Sequence, residues 1–128
     1  MLALSLTSLA VAAPDPEKAM VEKENLFEVT PDGPYRSIRI PCLIALPDDT
    51  VLAFTSARSA VSDWANIRLL LRRSPDGGRT WEPQRTVVGG SPGVTDKPLA
   101  IWDGLRGIVH VLYQTDYARI YHLQSADG

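Results

Sequence analysis

Hydrophobic positions in this 128-residue chain fall into short runs broken by turn-forming residues. Cys42–Leu46 and Val51–Ser56 are two apolar runs joined by Pro47-Asp48-Asp49-Thr50. Proline and aspartate both favour turn geometry, so this pair reads as a hairpin. Ile67–Arg73 is Leu-rich, but Asn66 and Ser74-Pro75-Asp76-Gly77-Gly78 confine it to a length that suits a strand better than a helix. Leu26–Val29, Arg85–Val88, Pro98–Trp102, Gly107–Tyr113 and Arg119–Ser125 complete the series of expected strands. No stretch sustains a helical period over three turns, and the pattern predicts an all-β chain.

Strands at intervals of about 8–12 residues with a turn signal between each point to a sandwich, a barrel or a propeller. An internal repeat narrows the choice, because self-similarity at a fixed period marks repeat architectures. Leu70-Leu71-Arg72-Arg73-Ser74-Pro75-Asp76-Gly77-Gly78 is echoed by Tyr121-His122-Leu123-Gln124-Ser125-Ala126-Asp127-Gly128, each an apolar strand ending in Ser-x-Asp-Gly. The period between the copies accommodates one four-stranded propeller blade. The second copy breaks off at Gly128 in mid-motif, which predicts a truncated array.

Residues 1–12 carry an apolar stretch ending in Ala10-Val11-Ala12, ahead of the polar Pro14-Asp15-Pro16-Glu17. It has the length of a signal-peptide core and is too short to span a bilayer as a helix, although no Lys or Arg precedes it. The expectation is a signal peptide at 1–12, a linker at 13–25, the globular part from 26 to 128, and a secreted or periplasmic protein without a membrane span. A net charge of −2 provides no basic footprint for nucleic acid or anionic membranes. The single cysteine, Cys42, excludes an internal disulfide framework and reads as a small buried hydrophobe. His110 and His122 lie within expected strands with no Cys or acidic partner at metal-ligand spacing, so neither a metal nor another cofactor is expected.

Three local motifs carry the chemistry. Ser74-Pro75-Asp76-Gly77-Gly78-Arg79-Thr80-Trp81 is built as a turn: Asp76 accepts from turn amides, the glycines permit positive φ, and Trp81 folds back as an apolar anchor. One carboxylate is too few to hold calcium there. Upstream stand Arg39-Ile40-Pro41, followed by an apolar strand, and Ala57-Arg58-Ser59-Ala60-Val61-Ser62-Asp63-Trp64, between two expected strands. Arginine suits carboxylate recognition because its planar guanidinium binds bidentately and stays charged. By residue type alone, Asp63 is equally at home as a turn aspartate, and Arg36 or Arg68 competes with Arg58 for the same place.

Together these motifs resemble the N-terminal part of the exo-α-sialidases (neuraminidases), six-bladed β-propeller glycosidases with recurring Asp-box (BNR) repeats. The order Arg-Ile-Pro, strand, arginine, loop, aspartate, strand, Asp box is reproduced without a gap. The resemblance implies an Asp box at Ser74, Asp76, Gly78, Thr80 and Trp81 with a structural role. It further implies that Arg39 is one of three arginines clamping the substrate carboxylate, that Arg58 holds the sugar-ring substituents, and that Asp63 is the acid/base catalyst.

The implied substrates are sialylated glycans (glycoproteins, glycolipids, oligosaccharides), hydrolysed with retention. The family nucleophile is a tyrosine, which avoids bringing a carboxylate against a carboxylate-bearing anomeric carbon. The remaining two arginines, a glutamate and that tyrosine belong to later blades of the family fold and are not among these residues. The expectation is therefore that these residues alone do not cleave sialosides. Cys42 departs from the small residue expected after Arg-Ile-Pro, and the Ala57–Asp63 loop is slightly compact. A non-catalytic Asp-box propeller that binds glycans or acts as a scaffold is the competing reading. It requires neither the Arg-Ile-Pro arginine nor the loop aspartate, and both are present.

Overall fold

The computed structural model describes residues 22–89 and 92–128. The expected signal peptide at 1–12 and most of the expected linker lie outside the described residues. Seven strands occur in chain order: β1 (Ser37–Ala45), β2 (Val51–Arg58), β3 (Ile67–Ser74), β4 (Arg85–Val88), β5 (Thr95–Asp103), β6 (Ile108–Thr115) and β7 (Arg119–Ser125). They form two antiparallel meanders, β1-β2-β3-β4 and β5-β6-β7, with no helix among the described residues. The chain is all-β, as its pattern predicts.

Local chemistry accounts for the connections. Between β1 and β2 the Leu46 amide donates to the Thr50 carbonyl (2.8 Å) and the Thr50 amide to the Asp48 carboxylate (3.1 Å). Asp49 takes up a left-handed φ of 62°, a conformation aspartate tolerates better than most residues. After β3, Ser74 Oγ receives the Gly78 amide (2.8 Å), while Asp76 receives the Arg79 and Thr80 amides (3.1 and 2.8 Å) and the Thr80 hydroxyl (2.6 Å). Gly77 and Gly78 supply the positive φ angles this turn requires, and the Trp81 ring lies against Gly78. Ser125 and Asp127 repeat the first contacts of that turn after β7: in each copy the serine hydroxyl bonds the aspartate, at 2.8 Å in the first and 2.6 Å in the second.

One irregularity occurs twice. In β1 the pairing passes from Arg39 opposite Ser56 to Cys42 opposite Phe54, so Ile40 and Pro41 together face the single residue Thr55. In β5 it passes from Asp96 opposite Gln114 to Leu99 opposite Leu112, so Lys97 and Pro98 face Tyr113. Each bulge contains a left-handed residue (Ile40, φ 58°; Lys97, φ 59°) followed by a proline, which cannot donate to a ladder and is tolerated where the ladder is broken. These bulges sit at the same offset in the two sheets, because Arg39 stands to Asp96 as Val51, opening β2, stands to Ile108, opening β6. Leu26–Val29, expected as a strand, is not one. Its backbone forms no ladder, and the chain beyond it closes a turn through the Gly33 amide and the Thr30 carbonyl (3.0 Å).

The sheets pack face to face over a core of Leu52, Phe54, Leu71, Ala100, Val109 and Val111, with Cys42, Ile44, Leu46, Trp102 and Leu123 at its margin. Burial of these side chains is what joins the sheets. Cys42 also accepts the Ala100 amide on its sulfur (3.3 Å), across the sheet interface. Along the inward face of β2 the residues run Leu52, Phe54, Ser56, Arg58, all buried. The face turns from apolar to polar toward its C-terminal end. The other face of the second sheet leaves Leu99, Ile101, Leu112 and Ile120 exposed around the stacked pair His110 and His122.

Candidate functional site

The polar end of β2 lies in a cavity of about 380 Å³ lined by Arg39, Ile40, Arg58, Asp63, Trp64, Asp96, Lys97 and Tyr117. Arg58 occupies its floor and is 2% exposed. A guanidinium cannot be buried without anionic and hydrogen-bonding partners, and Arg58 has both. Its Nη2 donates to Asp96 Oδ2 (2.7 Å), and its Nη1 donates to Asp63 Oδ1 (2.7 Å) and the Ser62 carbonyl (3.0 Å). Asp96 is itself fully buried, receiving also the Ser56 hydroxyl and the Lys97 amide (2.7 Å).

Asp63 stands at the other side of Arg58, 62% exposed, on the loop between β2 and β3. Arg39 reaches the same Oδ1 from the β1 bulge, its Nη1 at 3.3 Å and its Nε on Ser37 Oγ at 3.2 Å. One carboxylate oxygen therefore collects two arginines from different strands. The loop is held by the Ser59 amide on the Asn66 carbonyl (3.0 Å) and the Trp64 amide on Ser62 Oγ (3.1 Å). From the β6–β7 turn, the Tyr117 hydroxyl donates to the Asp63 carbonyl (2.9 Å). Tyr117 also packs edge-on against Trp64, with centroids 4.9 Å apart, and lies under Lys97 Nζ at 5.1 Å.

The structure thus brings together Arg39, Arg58 and Asp63. It separates them from the turn of Ser74, Asp76, Gly78, Thr80 and Trp81, which follows the opposite end of β3 and lines no part of this cavity. There Asp76 is held well below the ordinary carboxylate value, at about 2, first by the Thr80 hydroxyl and then by the Thr80 amide. Arg36 bonds the Gly33 and Tyr35 carbonyls (2.6 and 3.1 Å), and neither it nor Arg68 lines the cavity.

Asp96, Lys97, Tyr117 and Trp64 line the site without having been expected there. Of these, Trp64 stands inside the Ala57–Trp64 motif, whereas no local pattern marks Asp96, Lys97 or Tyr117. Among the described residues no group of three or more His, Cys, Asp or Glu is arranged to hold a metal. Among the described residues there is no helix long and apolar enough to cross a membrane.

Two blade-like meanders packed face to face, with a cationic cavity at one end and no closure of the sheets, define a partial propeller. The fold is similar to that of Hadza microbial sialidase Hz136, with a TM-score of 0.60 and 21% sequence identity. The likeness covers 70% of this chain and 24% of that one, so the chain spans about a quarter of its length. No protein-family model matches the chain.

Proposed function

We propose that this chain is the part of an exo-α-sialidase that recognises the carboxylate of a terminal sialic acid and supplies the acid/base catalyst. The observation that carries this reading is the convergence of Arg39 and Arg58 on Asp63 Oδ1 within one open cavity. Arg39 is 42% exposed and exchanges its long contact with Asp63 for the substrate carboxylate, binding it through the planar guanidinium. Arg58, fixed by Asp96, presents donors to the ring substituents. Asp63, freed from Arg39, takes up a proton from solvent, gives it to the leaving oxygen and then takes one from the attacking water. The attacking tyrosine, its activating glutamate and the other two arginines of such a mechanism are supplied from outside these residues. The partners are sialylated glycans, no cofactor takes part, and the protein acts outside the cytoplasm. The Asp76 turn serves as an Asp box that closes the blade.

The test is titration of the 128-residue chain with N-acetylneuraminic acid, followed by NMR at the Arg39 and Arg58 side chains, with methyl β-galactoside as neutral control. Saturable shifts for the acid, abolished in Arg39→Ala, are expected, together with no turnover of a fluorogenic sialoside. Shifts of equal size with Arg39→Ala, or none for the acid, would remove the reading.

A further inference from the structure

We propose that the outer face of the β5-β6-β7 sheet is a self-association surface on which two copies of this chain pair, and that the His110–His122 pair within it releases them in acid. None of the residues lining that face lines the floor of the arginine cavity, so the inference is independent of the sialidase reading.

The register matches the faces of the two sheets position by position. In the first sheet Cys42, the residue after the bulge, stands opposite Phe54, Phe54 opposite Leu71, and Ile44 opposite Leu52. In the second sheet the same places are taken by Leu99, Leu112 and His122, and by Ile101 and His110. The first set is the face on which the second sheet packs. The second set lies on the outer face, where Leu99, Ile101 and Leu112 are exposed around a groove of about 500 Å³, with Ile120 exposed beside them. The second sheet thus repeats the docking face of the first, uncovered among the described residues. A contiguous apolar face of this kind marks an interaction surface.

The opposite end of the stack is closed. On the outer face of the first sheet Ala53, Thr55, Ala57 and Leu70 are buried. The segment 24–35 lies along that face, lining one cleft with Ala53 and Thr55 and another with Arg72. Head-to-tail stacking of copies is therefore blocked, and the open ends of two copies are left to cover one another. Contact of like with like is isologous and stops at two chains instead of growing into a filament.

His110 and His122 stand where the first sheet has Leu52 and Leu71. His110 Nδ1 and His122 Nε2 are 2.9 Å apart, a contact that a single proton between them satisfies. On its other side His110 Nε2 faces Asp103 Oδ2 at 3.8 Å, and Asp103 is paired with Arg106 at 3.1 Å. The remaining neighbours on the face are Ile101, Leu112 and the neutral Gln124. A second proton on the pair sets two imidazolium charges against each other, with one carboxylate, already shared with Arg106, to offset them. In water the rings part and are hydrated. Between two apolar faces the added charge loses its hydration as well, so protonation opposes pairing.

Sedimentation equilibrium of the 128-residue chain reads the outcome as mass. Imidazole titrates in the range that separates the two states, so two chains per particle are expected at about pH 8 and one at about pH 5. Through the transition the dissociation constant should rise about ten- to hundredfold per pH unit. His110→Leu/His122→Leu, which installs the leucines of the first sheet, should stay paired at both pH values. Leu112→Glu, at an exposed position, should be a monomer at both, with the circular dichroism of the native chain. A native chain that is monomeric at the higher pH overturns the proposal and leaves the face to a sheet from outside these residues. Pairing that persists in Leu112→Glu puts the contact elsewhere and overturns it too. A pH dependence that survives in the double leucine variant overturns the histidine release. Binding of N-acetylneuraminic acid is a separate measurement, so this inference and the sialidase reading can each fail alone.

Discussion

Replacing Asp96 by alanine isolates the contact on which the site is built. In the native chain Arg58 is 2% exposed, with Asp96 on one side and Asp63 on the other. The two carboxylates differ in environment: the Asp96 side chain is 1% exposed, the Asp63 side chain 62%. Removing Asp96 leaves a buried guanidinium whose remaining anion is in water, and strips the acceptor from Ser56 Oγ and the Lys97 amide. Removing one partner of a buried pair costs about 3–5 kcal/mol. That is a large share of the roughly 5–15 kcal/mol by which a domain is folded. Asp63→Ala, by contrast, removes the exposed partner and should cost about 1 kcal/mol or less.

Urea unfolding followed by tryptophan fluorescence reads the difference. At roughly 1–3 kcal/mol per molar urea, Asp96→Ala should lower the midpoint by about 2 M. The double variant Arg58→Met/Asp96→Leu should recover most of the loss, because the uncompensated charge has gone. A loss below about 1 kcal/mol for Asp96→Ala, or a double variant as unstable as the single, would refute the buried-pair account.

Two further outcomes follow from the same structure. Asp76 is harder to protonate in the folded chain than its ordinary 3.8, its value lying at about 2, so its turn favours folding above pH 3.8 and that contribution fades as the pH falls toward 2. Amide exchange at Arg79 and Thr80 checks this, and in Thr80→Ala, which lacks the main stabilising hydroxyl, the turn should open at higher pH; identical profiles would contradict it. Phe54→Ala opens a void between the sheets and should cost about 3–5 kcal/mol in the same urea experiment, and a loss under 1 would show the sheets are not joined there.

Several elements were legible from pattern alone. Arg85–Val88 and Arg119–Ser125 agree with β4 and β7 end to end, and the Pro47–Thr50 hairpin closes where its turn residues place it. β1 and β5, however, begin at Ser37 and Thr95, well before the expected Cys42 and Pro98. Proline beside a charged residue reads as the end of a strand, yet a bulge lets the ladder continue past it. Leu26–Val29 had strand-like composition and no sheet edge to join. The arginines and Asp63 were reached through motif order. Asp96 stayed hidden because its role depends on a cross-sheet meeting with Arg58, 38 positions away, that no local pattern encodes. Tyr117 was hidden for the same reason, since it meets Asp63 only when the two sheets are stacked.

The twin bulges have a bearing on how such a site can change over generations. Each is a mount whose geometry is set by a left-handed residue and a proline, and the residue just ahead of that pair is free to differ: arginine at 39, aspartate at 96. Both point into the same cavity. A sheet carrying this bulge thus presents a ready socket at the mouth of the pair, and the one side chain placed there decides whether that socket offers a ligand-seeking cation or the anion that steadies its neighbour. Division of labour between sheets then needs no new backbone, only a change of tenant.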